Sequence, residues 1–209
     1  MEFYEVLENR RTVRDFSDKE VPDEVLSKIL GAGLKAPSND HLRQLEFVVV
    51  RGYENIIKIL APIEGNIASF TKSNVSDLAE VMDKDEYAMF VDAMPKQQRM
   101  LMQSNCLVLP FFRQIGSPLL KPKNLSSLNY FASAWASIEN IMLGATAEGL
   151  ACALHIPIMD ESEHVKQVVG APADYELACF LAIGYKSDKA PNLKQKEIKI
   201  VDKIHKNKW

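Results

Sequence analysis

No stretch of this 209-residue chain is long and apolar enough to span a bilayer: the longest run without a charged residue, Asn124 to Ile138, has 15 residues and is rich in Ser and Asn. The opening Met-Glu-Phe-Tyr-Glu-Val lacks a basic and then apolar leader, so no signal peptide is expected and the expected location is cytoplasmic. Cysteine is scarce. Cys106, Cys152 and Cys179 are odd in number, widely spaced and set among apolar residues, which suits buried reduced thiols better than a disulfide framework. No Walker A loop, G-x-S-x-G elbow, H-E-x-x-H pair or zinc-spaced cysteine pair is present, so the sequence offers no metal site and no side-chain nucleophile of a familiar kind. Charge of one sign is also missing: a net charge of −3 provides no global field for nucleic acid or an anionic membrane. The basic charge that exists is concentrated at the end, where residues 186–208 carry eight lysines against three acidic residues.

What is present is the composition of an ordinary globular protein, 47% hydrophobic and 25% charged. A chain of this length buries roughly 70% of its unfolded surface, enough for one core, so residues 1–209 are expected to form a single domain. Val25, Leu26, Ile29, Leu30 and Leu34 recur at helical spacing until Pro37 ends the run. Glu46–Val50 reads as a short strand and Asn55–Leu60 as a short helix. Residues 61–103 form a more polar helical excursion, with helical stretches over Asp77–Ala93 and Pro95–Gln103. Cys106–Phe112 is uncharged and apolar, as a buried strand is, and Leu125–Glu148 reads as a long central helix opened by a Ser126 or Ser127 cap. A strand over Leu150–Ile156, a helix over Glu161–Val169 and an apolar strand over Glu176–Tyr185 precede the lysine tail. Helices and strands alternate without repeats, which predicts an α+β fold.

Two apparent motifs fail on context. Gly31-Ala-Gly33-Leu-Lys-Ala36 matches the dinucleotide fingerprint in letters, but it ends a helix where the fingerprint must begin one. Glu161-x-x-His164 has the spacing of half a di-iron site, the second half is missing, and His164 is expected on a solvated helical face.

Two constellations remain. Arg10-Arg11-Thr12-Val13-Arg14 puts three guanidiniums and a hydroxyl within five residues, a competent phosphate site because arginine forks donate paired charge-assisted hydrogen bonds. The alternative is a solvated basic face in which Glu5, Glu8 and Asp15 pair with the arginines. Lys194 and Lys196 can supply point charges to the same anion if folding unites them. Between the first helix and the first strand, Ala36-Pro37-Ser38-Asn39-Asp40-His41 gathers turn-forming and hydrogen-bonding residues on a rigid support.

These residues resemble the nitroreductase family of FMN-dependent flavoproteins, whose opening motif is Arg-Arg-Ser-x-Arg-x-Phe and whose next is Ala-Pro-Ser-x-x-Asn-x-Gln-Pro-Trp-x-Phe. Arg10, Arg11, Thr12, Arg14 and Phe16 fall in register with the first, and Ala36, Pro37, Ser38 and Phe47 anchor the second. Glu148-Gly149-Leu150-Ala151-Cys152 and Ala182-Ile183-Gly184-Tyr185 resemble later family segments in the same order. The resemblance implies a mixed central β-sheet flanked by helices, a homodimer with exchanged tails, and FMN at each of two subunit interfaces. By it, Arg10, Arg11, Thr12, Lys194 and Lys196 hold the phosphate, and Arg14 lies near the pyrimidine edge. Pro37, Ser38, Asn39 and His41 line the isoalloxazine, with Leu154, His155 and Ile156 along its other face, one backbone N–H reaching flavin N5. The implied activity is a ping-pong transfer of hydride from NADH or NADPH, through the flavin, to a nitro, quinone or similar small acceptor, with no nucleic acid or membrane partner. The alternative is an FMN-binding sensor, or a specialised flavoprotein that dehalogenates or modifies flavin. His41, Arg43 and Leu45 depart from the family's Asn, Gln and Trp, which leaves the acceptor open.

Overall fold

The computed structural model describes residues 1–114, 124–191 and 198–209. It contains eight α-helices and five strands among them: α1 Phe3–Asn9, α2 Asp23–Gly33, β1 Leu45–Val50, α3 Tyr53–Leu60, α4 Ile63–Val81, α5 Lys84–Ala93, α6 Gln97–Gln103, β2 Leu107–Arg113, α7 Asn129–Ala147, β3 Ala151–His155, α8 Glu161–Val169, β4 Tyr175–Leu177 and β5 Phe180–Gly184. None of the described helices is long and apolar enough to cross a membrane.

The sheet has the order β1-β2-β5-β3, with β4 also on β2, and every pairing of named strands is antiparallel. A parallel element enters through the bridge Thr12–Cys152, which adds the N-terminal segment to the outer edge of β3. Alternation along the strands sorts the core into two layers. Leu107, Leu109, Phe111, Ala153, Phe180 and Ala182 pack with Ile56, Ile59, Ile63, Met100 and Val165 of α3, α4, α6 and α8. Val108, Phe112, Cys152, Leu181 and Ile183 pack with Leu26 and Ile29 of α2 and Ile138 and Ile141 of α7. Each such fully buried aliphatic side chain stabilises the fold by about 2 kcal/mol relative to exposure.

Several expected boundaries shift for identifiable reasons. The strand expected over Glu176–Tyr185 is two strands, β4 and β5. Phe111 opposes Leu177 and Val108 opposes Leu181, so three residues face two and the strand is bulged. Pro110 explains the place: its carbonyl takes the Ala178 N–H at 2.9 Å, and the donor that a ladder needs on the same side is missing. The helix expected over Asp77–Ala93 is interrupted because Asp83 caps α5, its carboxylate accepting from the amides of Asp85 and Glu86. The long helix is opened by Asn124, which caps a 3-10 turn over Leu125–Leu128, and α7 proper begins at Asn129; Ser127 acts only as the reciprocal partner in that cap. Helix α1 had no apolar periodicity to announce it, since only Val6 of its residues is buried.

Gly33, the second glycine of the failed fingerprint, sits where α2 crosses α7. A Cβ there would stand 2.6 Å from Cγ1 of Ile141 and 2.9 Å from Oγ of Ser137. The glycine serves close helix packing at a helix end, and not a pyrophosphate.

Candidate functional site

The arginine-rich segment leaves the C-terminus of α1 and runs along the sheet edge. Val13 donates its amide to the Cys152 carbonyl at 3.0 Å, Ser17 donates to Tyr185 at 2.9 Å, and Phe16 bridges Lys186 and packs its ring against Gly184. The isolated bridge at Thr12 sets the arginine segment against β3, the strand that carries Leu154 and His155, and Phe16 pairs with Lys186, beyond the Gly184 that opposes Ala151 at the start of that strand.

This half-site is rich in cations. Arg10 is 3.7 Å from Glu139 of α7, a long and partly exposed pair, and the Arg11 guanidinium donates to the Arg10 carbonyl at 2.7 Å. Glu5 and Glu8 are not the partners expected on spacing, and Asp15 pairs instead with Arg99 of α6 at 3.0 Å. Arg11, Thr12, Thr146, Gly149 and Lys186 line one open cleft. The Arg14 Nε is buried with no hydrogen-bond partner. Burial lowers the Arg14 pKa from its ordinary value, and the nearby charges of Asp92 and Asp15 oppose that shift. Lys194 and Lys196 lie outside the described residues.

The second half-site is the loop after α2. Asn39 donates its amide to Ser133 Oγ at 2.9 Å, Ser133 donates on to the Asn129 carbonyl at 2.7 Å, and Asn129 reaches the Asn39 side chain at 3.3 Å. Three non-glycine residues, Asp40, His41 and Arg43, hold positive φ of 48°, 56° and 49°. Such conformations cost about 1–3 kcal/mol each and persist where the surroundings fix them. Pro37, Ser38 and Asn39, with Arg43, Tyr130 and Phe112, line a small cleft of about 40 Å³. Gln44 Oε1 and Ser137 Oγ, both beside this cleft, are buried and unpartnered. His41 is on the surface.

One chain does not bring the two halves together. The loop touches the first turns of α7 at Asn129 and Ser133, whereas Arg10 meets Glu139 and the Arg11–Thr12 cleft is walled by Thr146. Ser137, which lines the loop cleft, and Glu139, which meets Arg10, are two residues apart and so face different sides of α7.

The His155 ring is buried, with Nε2 2.7 Å from Glu161 Oε2 and tilted against Phe180, while Ile156, next in sequence, is exposed. Glu161 is correspondingly buried, whereas His164 lies on the partly exposed side of α8 and bonds the Lys58 carbonyl at 2.8 Å. Spacing missed Glu161 because its partner is six residues back, on a strand. Among the described residues no cluster of His, Cys, Asp and Glu could hold a metal.

With the fold and both half-sites in view, comparison with other proteins is informative. Iodotyrosine deiodinase 1 of Pongo abelii is 28% identical over 208 residues, which cover 94% of this chain and 66% of that relative, so the chain spans about two thirds of its length. The structure of an oxidized iodotyrosine deiodinase bound to FMN and 3-iodo-L-tyrosine superposes with a TM-score of 0.78 at 20% identity, covering all of both chains. An FMN and NADPH-dependent nitroreductase from a Sphingopyxis strain superposes with a TM-score of 0.76 at 19% identity, again over all of both chains. These likenesses establish a shared fold. A match to the Nitroreductase family over residues 7–185, which takes in the arginine segment, the Pro37–His41 loop and every strand, goes further: the chain belongs to the Nitroreductase family.

Proposed function

We propose that the protein is an FMN-dependent oxidoreductase acting as a homodimer, each flavin held between the arginine segment of one copy and the Pro37–His41 loop of the other. The observation that carries this reading is the buried, unpartnered Nε of Arg14 at the mouth of a cationic edge. A half-buried guanidinium without an acceptor is costly, and a carbonyl-bearing ring placed there supplies the acceptor. Arg10, Arg11 and Thr12, with Lys194 and Lys196, would hold the phosphate through charge-assisted hydrogen bonds. Leu154 and Ile156 would contribute main chain and an apolar wall on one side; the His155 side chain, committed to Glu161, would not reach the ring. Pro37, Ser38, Asn39 and His41 of a second copy would close the other side, which accounts for two half-sites lying apart in one chain.

When bound, FMN supplies two-electron chemistry, accepting hydride from NADH or NADPH and passing it to a small acceptor such as a nitro compound or quinone. The protein orients the stacked reactants, and the positive charge of Arg14 favours the anionic reduced state at that edge. No separate nucleotide domain is needed, in keeping with Gly33 serving helix packing. A second reading, reductive removal of halogen from an aromatic acceptor, is favoured by the deiodinase relative aligned over 94% of the chain.

The test is the visible spectrum of the purified protein after soaking with FMN, followed by anaerobic NADH or NADPH. A flavin spectrum bleached by either nucleotide and restored by a nitroaromatic or quinone supports the first reading. Bleaching only by dithionite, with recovery on adding a halotyrosine, transfers support to the second. Absence of flavin binding removes both.

A further inference from the structure

The turn that follows β3 has little apolar packing to hold it. Ile156 and Met159 are 53% and 70% exposed, and Met159 takes a positive φ of 50°, unfavourable for an unbranched side chain outside a tight turn. Its internal anchor is a carboxylate. Glu161, fully buried at the start of α8, uses Oε2 twice: it accepts the Ile158 amide at 2.9 Å and holds His155 Nε2 at 2.7 Å. The strand end and the middle of the turn are thus tied to one atom. Asn66 of α4 adds a second, exposed tie to Asp160 at 2.7 Å.

A buried carboxylate is an expensive way to fill space. Apolar side chains of similar volume often serve stability as well or better, so the group's distinctive effect here is geometric. What it fixes is the main chain just past Leu154, the stretch that the flavin reading above sets along the ring. We propose that Glu161 is a positioning residue for the cofactor: with His155 it holds the main chain of residues 156–158 in the course that lets this turn lie against the flavin. The proposal rests on the flavin reading above. It concerns Glu161 and His155, which touch the turn and not the cofactor.

The experiment compares the parent protein, Glu161→Gln and Glu161→Ala by equilibrium FMN titration and by hydrogen exchange of the Ile158 amide, well below the melting temperature. Gln retains a carbonyl acceptor, so Glu161→Gln is expected to bind FMN within about twofold of the parent and to protect Ile158. Glu161→Ala is expected to bind FMN at least about tenfold more weakly and to lose that protection. A folded Glu161→Ala variant that binds FMN like the parent overturns the proposal, whatever its melting temperature, because a purely structural role moves stability alone. Unchanged exchange at Ile158 overturns it too, by showing that no tie was lost. Should Glu161→Ala not fold, His155→Leu leaves the Ile158 bond in place and removes the strand-end tie; FMN affinity equal to the parent's then overturns the proposal, and a loss of about threefold or more supports it. A parent protein that fails to bind FMN is a different result: it removes the flavin reading itself and is seen before any variant is made.

Discussion

Thr12 lies beside Cys152 in a parallel bridge, and the next amide, that of Val13, donates to the Cys152 carbonyl at 3.0 Å. An otherwise irregular basic segment is thereby fixed to the sheet edge. Hydrogen bonds to charged groups contribute about 1.5–3 kcal/mol, so Arg10→Ala or Lys194→Ala is expected to weaken FMN binding roughly 10- to 100-fold. The Arg10–Glu139 pair is long and exposed, worth little in the free protein, so the melting temperature of flavin-free Arg10→Ala should stay within about 2 °C of the parent. Fluorescence-quenching titration and a thermal melt measure both. Full affinity in Arg10→Ala and Lys194→Ala would remove these side chains from the phosphate site.

Gly31 and Gly33 are two residues apart and should respond to alanine in opposite directions. Around Gly31 a Cβ meets nothing within 4 Å, so Gly31→Ala gains helix propensity, about 0.5–1 kcal/mol. At Gly33 the added carbon would collide with Ile141, which is fully buried and has nowhere to move. Overpacking of this kind costs about 1–3 kcal/mol, a fall of roughly 3–10 °C in melting temperature for a domain of this size. Two thermal melts decide it; a stabilised Gly33→Ala would mean that α2 and α7 are not so closely packed.

Much of this architecture was legible in residue order alone. Leu107–Phe112 alternates between the two layers with no charge to interrupt it, and the α2 and α8 periodicities bury Leu26, Ile29 and Val165 as their spacing predicts. The places that misled are those where a distant partner decides. Pro110 breaks a strand some 70 residues further on by withholding a hydrogen from it, and nothing within Glu176–Tyr185 announces the break. His155 belongs to a strand whose alternation directs its ring into the layer with Glu161, so a run of three residues assigned to the flavin presents only its neighbours outward.

The three cysteines offer a test of burial through pH. Burial pushes Cys106 up to about 11, with Arg51 opposing, and Cys152 and Cys179 up to about 12, from an ordinary 9.0. Disulfides are excluded between Cys106 and Cys152 by register: Ile183 of β5 bonds Cys106 on one side and pairs with Cys152 on the other, which sets them about 9–10 Å apart, beyond the roughly 7 Å limit. At pH 8 an aromatic disulfide reagent is expected to find no reactive thiol in the folded protein and all three after denaturation. The folded state holds these protons more tightly than the unfolded chain. Their contribution is therefore intact below about pH 9 and is lost as pH rises toward 12. Cys179→Ala should flatten that alkaline decline, measured as the denaturant midpoint between pH 8 and 11; an equally steep decline would assign it to other groups.

The surface left exposed by a single chain argues for a second copy. On α1, Phe3, Tyr4 and Leu7 face solvent, and in the C-terminal segment Ile198, Ile200, Val201, Ile204 and Trp209 are all more than half exposed. So many exposed large apolar side chains at both ends of a chain are uncommon in a monomer. In the proposed dimer a tail that wraps the partner would bury them, and the same association would bring the Pro37–His41 loop of one copy to the arginine edge of the other. Sedimentation equilibrium should therefore give twice the mass of the chain. Truncation after Ala190 should yield a monomer that retains helical circular dichroism and binds FMN at least about 100-fold more weakly, since it loses the tail lysines and the second half-site together. To separate these contributions, Lys194→Ala with Lys196→Ala in the full chain should remain dimeric while weakening FMN binding by a smaller factor. A monomeric parent that binds flavin tightly would show that one chain suffices, and would require the Pro37–His41 loop to serve some purpose other than closing the flavin site.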